Sequence, residues 1–189
     1  MKKYRDIYIS DKDNTHIIKG NVGFFCKHCY EPIYKYIDYT LKVNSDDIYV
    51  QQLYHIKCSR CSYMNIWEGV LDPNITKYIA LLNSKGYETY CCCEGHTYEQ
   101  AIPYILFKDN TLIEVVNNSY DIYRVSNKIL DRLHIWKLSE SGYYISDNEF
   151  IKASRLDCQL YTKYSLKERL DALKEFINIL PFHKVLNLV

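Results

Sequence analysis

The hydrophobic positions change their period once along the chain. Up to about residue 70, apolar and polar residues fall into short runs of strand type; just after it, and as far as Gly86, apolar residues recur three or four apart. In the first part, Tyr34-Lys35-Tyr36-Ile37-Asp38-Tyr39-Thr40-Leu41-Lys42-Val43 reads as a strand and Asn44-Ser45-Asp46-Asp47 as a turn. Ile48 to Ile56 reads as the returning strand, which predicts a hairpin. Residues 1–20 carry the polar cluster Asp11-Lys12-Asp13-Asn14, a turn or loop, and Gly20 and Gly23 flank the entry to Cys26. Ser62 to Val70 offers one more short strand, with Trp67 as a packing residue.

In the second part, Asp72 is an N-cap type residue and Pro73 suits a first helical position. Ile75, Tyr78, Ile79 and Leu82 then keep helical spacing until Gly86 stops the helix. Tyr87 to Cys92 reads as a strand leading into Cys93-Glu94-Gly95-His96, and Ala101 to Phe107 as a second strand. Beyond Asp109-Asn110, Thr111 to Val116 fits either helix or strand, Asn127 to Leu133 reads as helix, and Leu133 to Leu138 runs into a strand. Tyr143 to Ile145 follows a Ser141-Gly142 turn as a strand, and Leu160 to Tyr164 reads as another. Ser165-Leu166-Lys167-Glu168 is a capping box, and Leu166, Leu170, Leu173, Ile177 and Leu180 give an amphipathic helix ending before Pro181. Its apolar face is expected to cover one side of a sheet. The chain as a whole is expected to be α+β, with a cysteine-bearing module at 1–70 and an α/β domain at 71–189.

A length of 189 residues buries a real core and suits one domain plus a module, or two small domains. The net charge of +1, from 24 basic and 23 acidic residues evenly interspersed, excludes a broad positive field and leaves room only for a local basic patch. No apolar run approaches the roughly 20 residues of a membrane span, and Met1-Lys2-Lys3-Tyr4-Arg5-Asp6 lacks the apolar core of a signal peptide. A cytoplasmic protein with no membrane partner is expected. Of the 20 tyrosines, Tyr34, Tyr36, Tyr39, Tyr49 and Tyr54 fall on the expected strands around the cysteines. They read either as half-buried strand residues or as a platform on which bases stack.

The cysteines carry the most specific chemistry. Cys26-Lys27-His28-Cys29 and Cys58-Ser59-Arg60-Cys61 are two Cys-x-x-Cys pairs separated by 28 residues, the spacing of a four-thiolate zinc ribbon. A reducing compartment favours metal thiolates over disulfides. Cys26, Cys29, Cys58 and Cys61 are therefore expected to hold a structural Zn2+ whose four-sulfur shell leaves no open position for catalysis. His28 and His55 lie near that shell but are not needed to fill it. Cys91 and Cys92 read as small buried residues on a central strand, Cys158 as core, and His16, His134 and His183 as isolated.

The stretch Leu82-Asn83-Ser84-Lys85-Gly86-Tyr87, Thr89, Cys92-Cys93-Glu94-Gly95-His96 and Tyr104-Ile105-Leu106-Phe107 resembles a pattern in small bacterial and bacteriophage zinc-ribbon proteins. Those proteins combine a helix ending in Leu-Asn-x-x-Gly-Tyr, a Thr-containing strand, a Ser-Cys-x-Gly-His turn and a strand of Tyr-Ile-x-Phe type. Cys92 stands here where the pattern usually has Ser. A more distant similarity is to the tRNA wybutosine-synthesis methyltransferase family, in which a Ser-Cys-Ser-Gly-Arg turn takes the corresponding place and His96 replaces its arginine. The first resemblance implies a phage- or mobile-element-associated protein in a host cytoplasm; the second points toward RNA.

At the carboxyl end of a strand, Gly95 allows close backbone approach, His96 shuttles protons near neutral pH, Glu94 orients it, and Cys93 serves as thiolate or ligand. Glu94 and His96 are thus candidate catalytic residues, and Cys93, Glu94, Gly95 and His96 a candidate binding turn. A second metal on Cys93 and His96 would need two further ligands. Phosphate loops, Gly-x-Gly-x-x-Gly turns, His-Glu-x-x-His helices and nucleophile elbows are absent, as is the His-x-Glu of zinc deaminases. A binding or regulatory role is expected over catalysis. Arg60, Lys57, Lys27, Lys35 and Lys42 are candidate phosphate contacts for a nucleic acid. The alternatives are a host nucleic-acid-binding protein complex as partner, as for an inhibitor of a CRISPR effector, or a small RNA- or nucleotide-modifying enzyme using Glu94 and His96.

Overall fold

The computed structural model of the chain describes residues 6–10, 15–42, 53–67, 70–93, 102–118, 135–146, 149–159 and 163–183. They form a mixed α+β protein that divides into two compact units, Met1–Lys77 and Tyr78–Val189. No described helix is long and apolar enough to cross a membrane.

The first unit is built from hairpins. β1 (Asp6–Ser10), β2 (Thr15–Phe25) and β3 (Pro32–Lys42) form an antiparallel sheet in that order, and β4 (Tyr54–Lys57) and β5 (Met64–Trp67) form a second antiparallel pair. Alternation sends Val22 and Phe24 inward from β2 and Ile56 from β4, where Ile33, Ile37, Tyr54, Trp67 and Val70 pack against them. Aromatic rings complete this small core: Phe24 meets Tyr54 at 5.4 Å and Trp67 at 6.0 Å, and Phe25 meets Trp67 edge-on at 4.8 Å.

The strand partners differ from those expected. β3 pairs back onto β2, from Thr15↔Lys42 to Phe25↔Pro32, and β4 pairs forward onto β5. The hairpins thus turn at the cysteine pairs, and the expected turn at 44–47 lies outside the described residues. Residues 1–20, for which the sequence predicts only a turn or loop at 11–14, supply β1 and the start of β2, paired from Asp6↔Lys19 to Ser10↔Thr15, and residues 11–14 lie outside the described residues. Gly20 and Gly23 sit inside β2. Gly23 is there because of crowding: its N–H and C=O bond to Leu71 at 2.8 and 2.9 Å, and a Cβ would lie 1.7 Å from Oγ1 of the buried Thr76.

α1 (Thr76–Ser84) comes after a turn at 73–75, with the Asp72 carbonyl accepting from the N–H groups of Ile75 and Thr76. In the second unit, β6 (Thr89–Cys93), β7 (Tyr104–Phe107), β8 (Trp136–Ser146) and β9 (Glu149–Cys158) form one sheet in the order β6-β7-β9-β8, every pair antiparallel. α2 (Thr111–Asn118) packs on β8 and β9, and α3 (Leu166–Ile179) packs on β8. Ser154, fully buried in β9, donates its N–H to Asp109 O at 2.8 Å and accepts from Ile113 N–H at 3.0 Å, fastening α2.

Three expectations change in this unit. The sheet is antiparallel rather than of the α/β kind, so the segment after β6 is not the carboxyl end of a parallel sheet. Ser141 and Gly142 lie within β8 instead of in a turn: a Cβ on Gly142 would come within 2.2 Å of the Phe150 ring across the hairpin. The strand expected at 160–164 is displaced by β9 at 149–158; Lys163 and Tyr164 are in a turn and 160–162 lie outside the described residues. The helix expected at 127–133 also lies outside them. The capping box does form: Ser165 Oγ accepts from Glu168 N–H, and Glu168 Oε2 accepts from Ser165 N–H at 2.7 Å.

The C-terminal end of α3 is held by residues just beyond α1. The ammonium of the buried Lys85 donates to the carbonyls of Ile177 at 2.8 Å and Leu180 at 2.5 Å, and Tyr87 Oη donates to Pro181 O at 3.0 Å. Gly86 takes φ 93° because His183 O would stand 2.1 Å from any Cβ. Asn83 then bonds Ile79 O and Thr89 Oγ1, at 2.8 and 2.9 Å, tying helix to strand. Lys85→Met, which leaves those helix-end carbonyls buried without a donor, should destabilise the protein by about 2–3 kcal/mol. It should lower the urea midpoint with an unchanged slope, whereas exposed Lys167→Met on α3 should change little. Gly23→Ala should cost about 1–3 kcal/mol, because Thr76 has no room to retreat.

Candidate metal centre

Each Cys-x-x-Cys pair is the turn at the end of a hairpin, and the two turns have the same backbone. Cys26 N–H donates to Glu31 O at 2.9 Å and Tyr30 N–H to Cys26 O at 2.7 Å; Cys58 N–H donates to Tyr63 O at 2.9 Å and Ser62 N–H to Cys58 O at 2.9 Å. In both turns the residue after the second cysteine is left-handed, Tyr30 at φ 56° and Ser62 at φ 61°. That is a costly conformation for a residue with a Cβ. The repeated turn aims two sulfurs from each hairpin at one point.

All four sulfurs lie within 4.8 Å of one another, with Cys26 Sγ 3.5 Å from Cys61 Sγ and Cys29 Sγ 3.7 Å from Cys58 Sγ. The cysteines are free, and disulfide sulfurs would be about 2.05 Å apart. Tetrahedral metal–sulfur bonds of about 2.3 Å place sulfurs about 3.8 Å apart, so the cluster already has the size of a four-thiolate metal shell. Cys26 and Cys58 are buried, while Cys29 and Cys61 are partly open.

Groups around the sulfurs fasten one turn to the other. Lys27 N–H donates to Oδ1 of the buried Asn65 at 2.7 Å, and Asn65 Nδ2 returns to Ile56 O at 3.1 Å. Lys27 Nζ donates to Ile66 O at 2.7 Å and lies 5.0 Å from the centre of the Trp67 ring. Arg60 pairs with Glu31 at 2.9 Å in the open, which raises the guanidinium pKa, and the His28 and Tyr63 rings stack at 5.6 Å. Asn65 is the residue that sequence reasoning missed, since only its burial among the exposed Met64 and Ile66 marks it as a second support for the sulfurs.

The thiols are electrostatically unequal. Burial acts to raise the Cys26 thiol, but bonds from the Cys29 and His28 N–H groups, with the Cys61 and Asn65 side chains, outweigh it and bring it down to about 6. At Cys61 the Tyr63 N–H acts downward, yet burial and the shared protons of Cys26, Cys29 and Cys58 together push it up to about 12. Cys29 is also raised: the Glu31 N–H lowers it, and burial with Cys26 and Cys58 prevails.

The other candidate residues do not join this cluster. Arg60 and Lys57 are exposed on and just before the second turn, Lys27 and Lys35 are exposed, and Lys42 closes β3. His28 and His55 are exposed and outside the sulfur group. Cys93 ends β6 opposite Tyr104, whereas Glu94, Gly95 and His96 lie outside the described residues, as does His134. Cys91 and Cys92 are half-buried on β6, an edge strand rather than a central one. Burial raises the Cys91 thiol against the Tyr104 hydroxyl and the Arg155 charge, and burial pushes Cys158 up to about 11 in the core. Set beside known protein families, curated proteins and solved structures, the chain matches none.

Metals bind thiolates, and Cys29 and Cys61 both hold their protons at neutral pH. Uptake of a metal by all four sulfurs should release at least two protons near pH 7, so the apparent affinity should drop about a hundredfold or more for each unit the pH falls. Calorimetric titration with Zn2+ in buffers of different ionisation enthalpy counts those protons, and a count below two would contradict this ordering of the thiols.

Proposed function

We propose that Cys26, Cys29, Cys58 and Cys61 hold one structural Zn2+, that the N-terminal unit is a zinc ribbon, and that the protein is a cytoplasmic binding protein rather than a catalyst. The observation that carries this is the four-sulfur cluster at the ends of two matching hairpin turns. Four sulfurs at tetrahedral spacing suit a d¹⁰ ion with no geometric demands of its own, and they leave no site for water or substrate. The metal then acts through folding, and function is left to the surface of the unit.

That surface supports nucleic acid as the ligand. Among residues 20–37 and 53–67 the charged side chains are Lys27, Lys35, Lys57 and Arg60 against Glu31 alone, and Glu31 is engaged by Arg60. A local excess of basic residues of this kind is hidden in the whole-chain charge of +1. A second reading, a protein complex that handles nucleic acid as partner, is favoured by the exposed Tyr63 just before β5 and Met64 and Ile66 on it. Together with the phage-type resemblance at 82–107, this extends to an inhibitor of a bacterial defence complex.

Elemental analysis of protein purified under reducing conditions should find one zinc per chain. Cys26→Ser or Cys58→Ser should lose it and unfold the first unit, because the metal's binding energy is part of that unit's stability. Fluorescence anisotropy with short single-stranded RNA and DNA at about 50 mM salt should show binding whose salt slope falls by about one for each of Lys57→Glu and Arg60→Glu. Zinc content serves as the control for folding. No binding to either strand type under those conditions overturns the nucleic-acid reading; the protein reading is then tested by co-purification with a nuclease complex that Ile66→Asp abolishes.

A further inference from the structure

We infer that Tyr34 and Tyr36, on the outer face of β3, form a two-base stacking platform for single-stranded nucleic acid; this rests on the nucleic-acid reading above and names the residues that take the bases. β3 turns Ile33 and Ile37 toward the core, which places Tyr34 and Tyr36 on its opposite face. They are 51% and 60% exposed, a large aromatic area to leave in water. Their neighbours across the ladder are Gly23 and Asn21; Thr76 packs over Gly23 on this face, and both tyrosines stay more than half exposed beside it.

The other exposed tyrosines are already engaged. Tyr63 stacks on His28, Tyr90 lies face to face with Tyr143 at 4.0 Å, and Tyr144 packs on Phe150 at 5.0 Å. Tyr54 is turned inward onto Phe24, and the side chains of Tyr39 and Tyr49 are outside the described set. Among the described residues, Tyr34 and Tyr36 alone of the exposed tyrosines have no aromatic partner.

The spacing suits single strands rather than duplexes. Residues two apart on a strand are about 6.6–6.8 Å apart, about twice the 3.4 Å per-strand spacing of stacked duplex DNA. Two successive bases lying on the two rings are therefore drawn off one another, which a duplex resists and a single strand allows. Lys35, between the two tyrosines in sequence, falls by the same alternation on the Ile33 and Ile37 face, and it is one of the exposed basic side chains of this unit, with Lys27, Lys57 and Arg60.

The test measures affinity of the full-length, zinc-loaded protein for fluorescein-labelled oligo-U, oligo-dT and a duplex of the same length. Tyr34→Ala and Tyr36→Ala should each weaken single-strand binding by about 5- to 150-fold, with zinc content and melting unchanged. Tyr34→Phe and Tyr36→Phe should retain most of the affinity, because the ring and not the hydroxyl carries the contact. Oligo-U and oligo-dT should bind comparably, and a preference above about tenfold for either sugar would overturn stacking as the source of affinity. If the double alanine variant binds as the wild type does while Lys57→Glu weakens binding, the platform is refuted and the nucleic-acid reading stands. If the wild type binds neither strand, both fall together.

Discussion

Four sulfurs meeting at one point are the constraint on which the first unit depends. Among the described residues its apolar cluster is built on Val22, Phe24 and Ile56, with five partly buried neighbours packed against them. The two cysteine-bearing hairpins, β2–β3 and β4–β5, are joined by groups that gather around the cysteines, namely Asn65, Lys27, the Arg60–Glu31 pair and the His28–Tyr63 stack. Links of this kind at a wet surface are individually weak. A metal on the sulfurs is worth far more, and its position fixes where the two hairpins can lie. The left-handed Tyr30 and Ser62 fit this account, since such strain persists only where surrounding bonds over-determine the turn.

The second unit is held together differently. Its sheet is covered on β8 and β9 by α2 and α3, and Ile105, Phe107, Leu156, Leu173, Phe176 and Ile177 are among its buried apolar side chains. The specific polar links sit at helix ends, where the backbone lacks partners of its own. Ser165 and Glu168 close the start of α3, Lys85 closes its end, and Trp136 Nε1 donates to Arg169 O at 2.8 Å between them. This gives a physical meaning to much of the 82–107 pattern. Asn83, Gly86, Tyr87 and Thr89 form a fastening between α1, β6 and the chain after α3, so these four positions of the pattern are structural in this fold.

The features legible in the sequence were local. The cysteine spacing, the capping box at Ser165, the stop before Pro181 and the Trp67 packing position each depend on residues close in the chain, or on the narrow demands of metal geometry. Strand partners were not legible, because alternation shows which face a strand buries and not which strand lies beside it. β3 could pair with the strand before it or with the strand after it. The deciding fact, that the cysteine turns themselves are the hairpin ends, lies in the backbone bonds of Cys26 and Cys58. Glycines misled for a related reason. Gly23 and Gly142 read as punctuation, yet both lie inside strands where Thr76 and Phe150 leave no space for a Cβ, a crowding set by tertiary contacts alone.

Surface chemistry shows the same limit from the other side. Twenty tyrosines and a net charge of +1 describe a chain with no preferred ligand, because both figures average over positions with different fates. Sorted by position, the exposed tyrosines among the described residues divide into those stacked on a neighbour and the pair on β3 that is not. The charges divide likewise, since basic side chains outnumber acidic ones on the described surface of the unit that carries that pair. Aromatic rings in water and unbalanced positive charge each cost stability or solubility when kept without a partner. Under the proposed reading, their coincidence on this unit gives the surface the binding role and the four sulfurs the task of keeping β3 still.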